Sequence, residues 1–498
     1  MTVPVVPIRI DTIPAFALPA RYTITMLGMI AGFKPDFRTN ESESLLSYSY
    51  PDVPALPPSA LLPASRDAHG FLLSKNSYVP SQAGAARVGG VEVLSLFPVR
   101  GTNIAAGAVE VGGMQQPGTD LVSDAFFFLS LHEEWSAEKR DRFDRFEVEE
   151  SLLGKLGALS RPVVAEYAEA LAACIRIAGV ELPEHPRFEG RTSAVCLTHD
   201  IDYTTHFSPG IMYRESVRYL LLNELKRPFS TRLRRWSEYV GRFLAGIDAY
   251  AISMDTFLRL ESDTRVRGTY FFKSGATGDF DVRYSLRSHA ISKWLSSILR
   301  DDHEIGLHPS FHSYRSGDVL AQEKSNLEQV TGHAAVAVRQ HYLKFRYPET
   351  WRLQISNGFQ VDSTLGFASH EGFRNGCVHP FLPFDLEEHR VLPIWELPMH
   401  IMDGTLVSYR KLDAQDALGR LTEIFDTVRG KAGVCTLLFH NVLHDPFDYP
   451  GWARIFEKII EMIVEEQTYS STVTDTAQLW MKSSGYRSIP EIEENTQE

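Results

Sequence analysis

Cysteine is scarce: the 498 residues hold four, Cys174, Cys196, Cys377 and Cys435. They stand far apart with no CxxC pair, so the pattern gives neither a zinc ribbon nor a disulfide framework and suits a reducing compartment. Positive charge is also short, with 50 Lys and Arg against 63 Asp and Glu and a net charge of -13. That balance argues against nucleic acid as a partner, because phosphate binding needs a basic face. No apolar run is long enough to span a bilayer. Arg9 and Arg21 interrupt the apolar stretches of the first thirty residues, so no signal peptide is expected either. The expectation is a soluble, cytoplasmic protein, and no internal repeat is visible.

What is present is ordinary for an enzyme: 44% apolar and 23% charged residues, in a chain long enough for two domains. Pro51, Pro54, Pro57, Pro58 and Pro63 crowd one stretch that must be a loop or extended segment. Arg161 to Val180 carries Ala, Leu and Ile at helical spacing. It ends at ELPEHPRFEG, where Pro183, Pro186 and Gly190 mark a boundary between an N-terminal α/β domain, 1–185, and a second domain, 190–482. Beyond it the short apolar runs SAVCLT, GTYFF, HEIGLH, AVAVRQ, FQVDS, VLPIWEL, GVCTLLFH and STVT alternate with helical patterns, which predicts βα units in a parallel sheet or barrel. One insertion, 205–262, is basic within an acidic chain: Ile211 to Arg242 holds eight Lys and Arg against three Glu. It is either a solvated helix face or a contact for an anionic substrate handle or membrane surface. The polar tail, 483–498, is expected to be flexible.

Chemistry-bearing residues follow several of these runs. Asp200 and Asp202 in THDID stand at the carboxyl end of the first, where active sites of α/β barrels collect. One aspartate can ligate a metal while its neighbour abstracts a proton. In HEIGLHPSFHSY, His308 and His312 are four apart, and Pro309 fits the first turn of a helix that would put both imidazoles on one face. Two histidines and a carboxylate make a common three-ligand site with room for water. His440 and His444 form a rival pair of the same spacing. Arg339 in VRQHY can hold an aspartate ionised, and backbone NH groups around Tyr342 can face an oxyanion. Asp362 can orient His440 or pair with Arg339, and His440 can protonate a leaving amine.

Taken in order, THDID, HPSFH, RQHY, VDST and LLFH resemble the five motifs of the NodB-homology polysaccharide deacetylases, carbohydrate esterase family 4, across roughly 190–482. The resemblance implies a distorted (β/α) barrel of the seven-stranded type. It implies Asp200 as general base, Asp202, His308 and His312 as the metal triad, and Arg339 as the brace of the base. Asp362 would be the fourth-motif aspartate and His440 the general acid, with Leu438 lining the acetyl pocket. Three departures stand out: Ile201 separates the aspartates, Pro309 replaces Ser or Thr, and Gln340 and His341 replace two prolines. EGFRNG and PIWELPMHIMDGTL are similar to a branch found in bacterial surface-polysaccharide biosynthesis, the chemistry of lipopolysaccharide and O-antigen. Glu396 and Asp403 in that run either shape the substrate site or serve as structural strand ends. DLVSDAFFFLSLHEEW and DRFDRF resemble the accessory domain of that branch, to which no activity is assigned.

The expected function is therefore hydrolytic removal of an acyl group, most simply N-acetyl, from an amino sugar in a surface-polysaccharide precursor, nucleotide- or lipid-linked. Zinc is the default ion, with cobalt, nickel, manganese or iron acceptable to the same ligands. The membrane would be touched at most peripherally, and the oligomeric state is left open. The alternatives are a carbohydrate-binding or assembly protein that keeps the barrel without turnover, and a glycosyltransferase using Asp200 and Asp202 on a nucleotide sugar.

Overall fold

The computed structural model describes residues 3–37, 44–51, 60–99, 108–111, 114–182, 187–445, 448–449, 451–466 and 468–497. Pro54, Pro57, Pro58, Pro183 and Pro186 lie outside them.

Four short strands open the chain: β1 (Val5–Asp11), β2 (Lys34–Asp36), β3 (Leu46–Ser49) and β4 (Ala60–Pro63). They form a parallel sheet in the order β2-β1-β3-β4. Helices α1 (Pro14–Ala31), α2 (Leu121–Leu129) and α3 (Val163–Ile177) accompany it. The helix expected over 161–180 is α3. Phe126, Phe127 and Phe128 are buried packing.

The second region is built on β5 (Ala194–Ile201), β6 (Gly268–Phe272), β7 (Glu304–Leu307), β8 (Ala337–Val338), β9 (Val361–Asp362), β10 (Trp395–Glu396), β11 (Ile401–Met402), β12 (Val434–Leu438) and β13 (Tyr469–Ser470). All of their pairings are parallel. Strand β5 is buried at every position, which is why its run reads as continuously apolar up to the polar end. From β5 the order runs β6, β7, β8, β9, β10 in one direction and β12, β11 in the other. Strands β10 and β11 belong to one segment. Its Leu397 NH bonds to Asp362 O beside β9, and its His400 NH bonds to Thr436 O within β12. This segment links the two ends of the curled sheet, a half-barrel. STVT, expected as a strand, instead starts α6 (Val473–Ser483), because the Thr472 hydroxyl caps the Asp475 NH; the neighbouring β13 supplies the pairing with β5.

The insertion folds into a helical turn at Pro209–Tyr213, a wider turn at Arg214–Leu221, and α4 (Phe229–Ala245), followed by α5 (Ala249–Thr264). Asp248 caps α5 through the Tyr250 NH.

The two regions do not keep separate cores. One cluster of buried side chains runs from Val6 and Phe126 through Phe271 and Trp395 to Trp480. Across the junction, the buried Arg374 guanidinium grips Glu134 with both arms, at 2.8 and 2.6 Å, and the Tyr22 hydroxyl donates to Leu382 O. The tail expected to be flexible is a further correction. Its helix α7 (Ile489–Gln497) buries Ile492, and Lys34 pairs with Glu491 at 2.6 Å. Apolar anchors in a mostly acidic stretch were enough to dock it on α1.

Candidate active site

The carboxyl ends of the barrel strands converge on one cleft, as the fold requires of parallel strands. Asp200 and Asp202 close β5, Lys273 follows β6, His308 follows β7, Arg339 and His341 follow β8, and His440 follows β12.

Three ligand-type side chains meet there. His308 Nε2 lies 3.5 Å and His341 Nε2 3.4 Å from the same atom, Asp202 Oδ1. Donors 2.0–2.1 Å from one tetrahedral ion would sit about 3.4 Å apart, so the spacing is that of ligands around a cation rather than of hydrogen bonds. Asp202 Oδ1 is buried and has no hydrogen-bond partner among the described residues. Each imidazole is pinned through its far nitrogen: His308 Nδ1 to Arg339 O at 2.7 Å, His341 Nδ1 to Asp281 Oδ1 at 3.0 Å. Such partners fix ring orientation and leave Nε2 for the metal. Burial works against an ionised Asp202, yet His341, His308 and Lys273 together hold its carboxyl well below the usual carboxylate range.

His312 is not part of this cluster. The residues after β7 form no helix, so the four-residue spacing does not place both rings on one face. His312 is exposed, its NH bonds to Thr277 Oγ1, and its ring lies against the Gly278 loop. His341 takes the third position instead. In the sequence it counts only as a departure from the third motif, although it stands three residues beyond a strand end and the other site residues also lie at or just past one.

Asp200 is buried beside the cluster, 3.6 Å from His308 Nε2 and 3.4 Å from Arg339 Nη1. Arg339 is locked in place: Nε donates to Ser363 O, Nη2 to Ser363 Oγ and Nη1 to Thr198 Oγ1, at 2.6 to 2.8 Å. The rigid fork leaves one arm for the aspartate. Asp362 lies behind this arginine, not beside His440. It is buried, bonded by the Thr364 hydroxyl, and next to Glu396. Burial and the adjoining carboxyl push Glu396 well up. Glu396 accepts from Trp351 Nε1 and the Leu365 NH, a structural strand-end role.

Asp403 is what orients His440. Its carboxylate takes His440 Nδ1 at 2.6 Å and the His440 NH at 2.6 Å, leaving Nε2 facing the cleft 3.9 Å from Asp202 Oδ2. Burial opposes the imidazolium, but Asp403, with Asp202 and Asp200 behind it, lifts His440 to about 9. The partner of the rival pair, His444, is packed among Phe257, Phe439 and Phe456, and burial pushes it down to about 4.

The cleft holds about 250 Å³, less than a drug-sized site, so it admits one end of a ligand. Leu343, Ala368 and Met402 form an apolar wall, and Leu438 is buried behind it with Leu343 and Ala368. Tyr342 and Leu343 both have positive φ, 62° and 54°, a strained turn of the kind that collects at functional sites. Lys273 is buried and contacts Asp281 at 3.2 Å. From the N-terminal region Arg145 reaches the rim, held by Asp141 and donating to Tyr342 O. Lys273, Asp281 and Arg145 carried no motif signal, because each is defined by what it touches across the chain.

A family described as "family of unknown function (DUF7033)" matches residues 20–178. No curated protein matches the chain. Among solved structures, a protein from Mycobacterium smegmatis assigned to the polysaccharide deacetylases is 20% identical, with 60% of this chain and 92% of that one covered and a TM-score of 0.39. The peptidoglycan deacetylase PdaC from Bacillus subtilis is 13% identical, covering 58% and 91%, with a TM-score of 0.29. A CE4 family pseudoenzyme from Bacillus anthracis is 10% identical, covering 59% and 66%, also with a TM-score of 0.29.

Proposed function

We propose that the chain is a metal-dependent amide hydrolase that removes an acyl group, most simply acetyl, from the nitrogen of an amino sugar. The observation that carries the reading is the arrangement around Asp202 Oδ1: two Nε2 atoms at ligand spacing, each ring fixed from behind, with Asp200 on one side and His440 on the other. Asp202, His308 and His341 would hold a divalent ion. When bound, that ion supplies Lewis-acid polarisation of water and of the amide carbonyl. Asp200, held by Arg339, takes the proton of the attacking water as its oxygen bonds to the carbonyl carbon. His440, charged below about 9, gives its Nε2 proton to the amine as the C–N bond breaks. Acetate and the free amine leave. The Leu343, Ala368 and Met402 wall suits a methyl group, and a backbone NH near Tyr342 is assigned to the oxyanion. Zinc is the first ion to try, and a saccharide precursor of a bacterial surface polysaccharide the first substrate class.

The test is acetate release from N-acetylhexosamine oligosaccharides by the zinc-loaded chain, followed by mass spectrometry. Asp200→Asn and His440→Gln are expected to lower kcat by about a hundredfold or more while metal content stays at wild type. Turnover that survives both substitutions would refute the assignment. A full metal site without release from any N-acylated sugar would leave the non-turnover binding protein as the correct reading.

A further inference from the structure

The basic insertion leaves much of its apolar surface open. Along α4, Phe229, Leu233, Trp236, Val240, Phe243 and Leu244 recur at helical steps and form one stripe. A surface helix ordinarily buries such a stripe and shows water its charges. Here Arg235, Tyr239 and Arg242 face the protein, Trp236 and Val240 are half-buried at its edge, and Arg234 and Glu238 stay exposed. Arg235 clamps Glu215 and Asp448, and Arg242 is buried against Asp445. The apolar side is open: Leu244 is 78% and Phe229 61% exposed, and Leu221 on the preceding turn 69%. Of the nineteen large apolar side chains left exposed among the described residues, eleven lie between Met212 and Ile252. Single exposed apolar residues need no explanation, but a contiguous patch of them marks a contact surface.

Charge chooses the occupant. Within 211–242 eight Lys and Arg face three Glu, in a chain whose total is -13. Lys226 and Arg227 are exposed beside Leu225 and Phe229, with no ionic partner among the described residues. A second copy meeting this patch symmetrically would set like charges against each other. An anionic bilayer satisfies both features at once, taking the apolar stripe to the level of the acyl boundary while phosphates meet the cations. The patch also adjoins the cleft: Tyr203, on the cleft wall, packs with Tyr239 and Tyr250 of the insertion, and the residue after His440, Asn441, donates to Tyr203 O.

We propose that the surface from Met212 to Ile252 docks the protein on an anionic lipid bilayer, with the mouth of the cleft beside the membrane. Docking is independent of the metal site and of any turnover.

The experiment is co-sedimentation of the full chain with vesicles of phosphatidylcholine alone and with added phosphatidylglycerol. Binding is expected on the anionic vesicles, to fall with salt, and to drop roughly fivefold for each of Lys226→Gln and Arg227→Gln. Leu221→Ser, Phe229→Ser and Leu244→Ser combined are expected to lower it at least about tenfold. These side chains are exposed, so an unchanged thermal melt verifies that the variant is folded. The control Arg287→Gln, on an exposed turn outside the patch, is expected to bind as wild type. Absence of binding to anionic vesicles overturns the proposal. So does equal loss with the control, retention by the triple variant, displacement by inorganic pyrophosphate beyond that of sodium chloride at matched ionic strength, or a dimer that the triple variant abolishes.

Discussion

Replacing Asp403 by Asn removes the charge that holds His440 protonated while keeping the shape of the side chain. In the native protein the imidazole sits at about 9, against about 6.5 for a free histidine. Burial pulls it down, and the Asp403 carboxylate at 2.6 Å is the largest force raising it. The difference corresponds to about 3 kcal/mol of preference for the charged ring. Asp202 and Asp200 remain in the variant and supply part of it, so the titration is expected to fall by about one to two units rather than the whole way. The sign for stability follows. A raised histidine stabilises the fold fully below about 6.5 and loses that contribution as pH climbs toward about 9. Asp403→Asn should therefore narrow the stability difference between pH 6 and pH 9. The measurement is NMR of the metal-free full chain with labelled histidine, His440 being assigned from His440→Gln. The alkaline limb of kcat/KM in the metal-loaded enzyme should shift in the same direction. A His440 titration that stays at the wild-type position in Asp403→Asn would refute the electrostatic account.

Metal analysis separates the structural triad from the one read in sequence. His308→Ala and His341→Ala should each lose most of the bound zinc, by tenfold or more in affinity, whereas His312→Ala should keep one equivalent by elemental analysis. Arg339→Lys should destabilise the barrel by about 2–4 kcal/mol in chemical unfolding, because a lysine leaves the Ser363 carbonyl or hydroxyl and the Thr198 hydroxyl without their fork. Glu134→Ala strands the buried Arg374 guanidinium and should cost about 3–5 kcal/mol. If the N-terminal region and barrel unfold as one unit, that loss will appear in a single transition reported by both, and two separate transitions would contradict the shared core.

Some of this was open to reading from residues alone. Buried parallel strands read as unbroken apolar runs, so AVCLT, GTYFF and VCTLL announced themselves, and a polar residue ending such a run is placed at the mouth of the barrel by strand direction. Asp200, Asp202, His308, Arg339 and His440 are legible this way; Asp200, Asp202 and His440 line the cleft, and His308 and Arg339 touch the aspartates from behind. What the chain order did not contain was the route of the backbone between those points. Whether His308 and His312 share a face depends on a helix after β7, and packing put an irregular turn there instead. The third ligand-type side chain is His341, brought in by the turn at Tyr342 and steadied by Asp281 from a different loop. Asp403 rather than Asp362 reached His440 for the same reason. Strand identity is local and written in side-chain pattern, whereas which carboxylate faces which imidazole is settled only when distant segments close on one another.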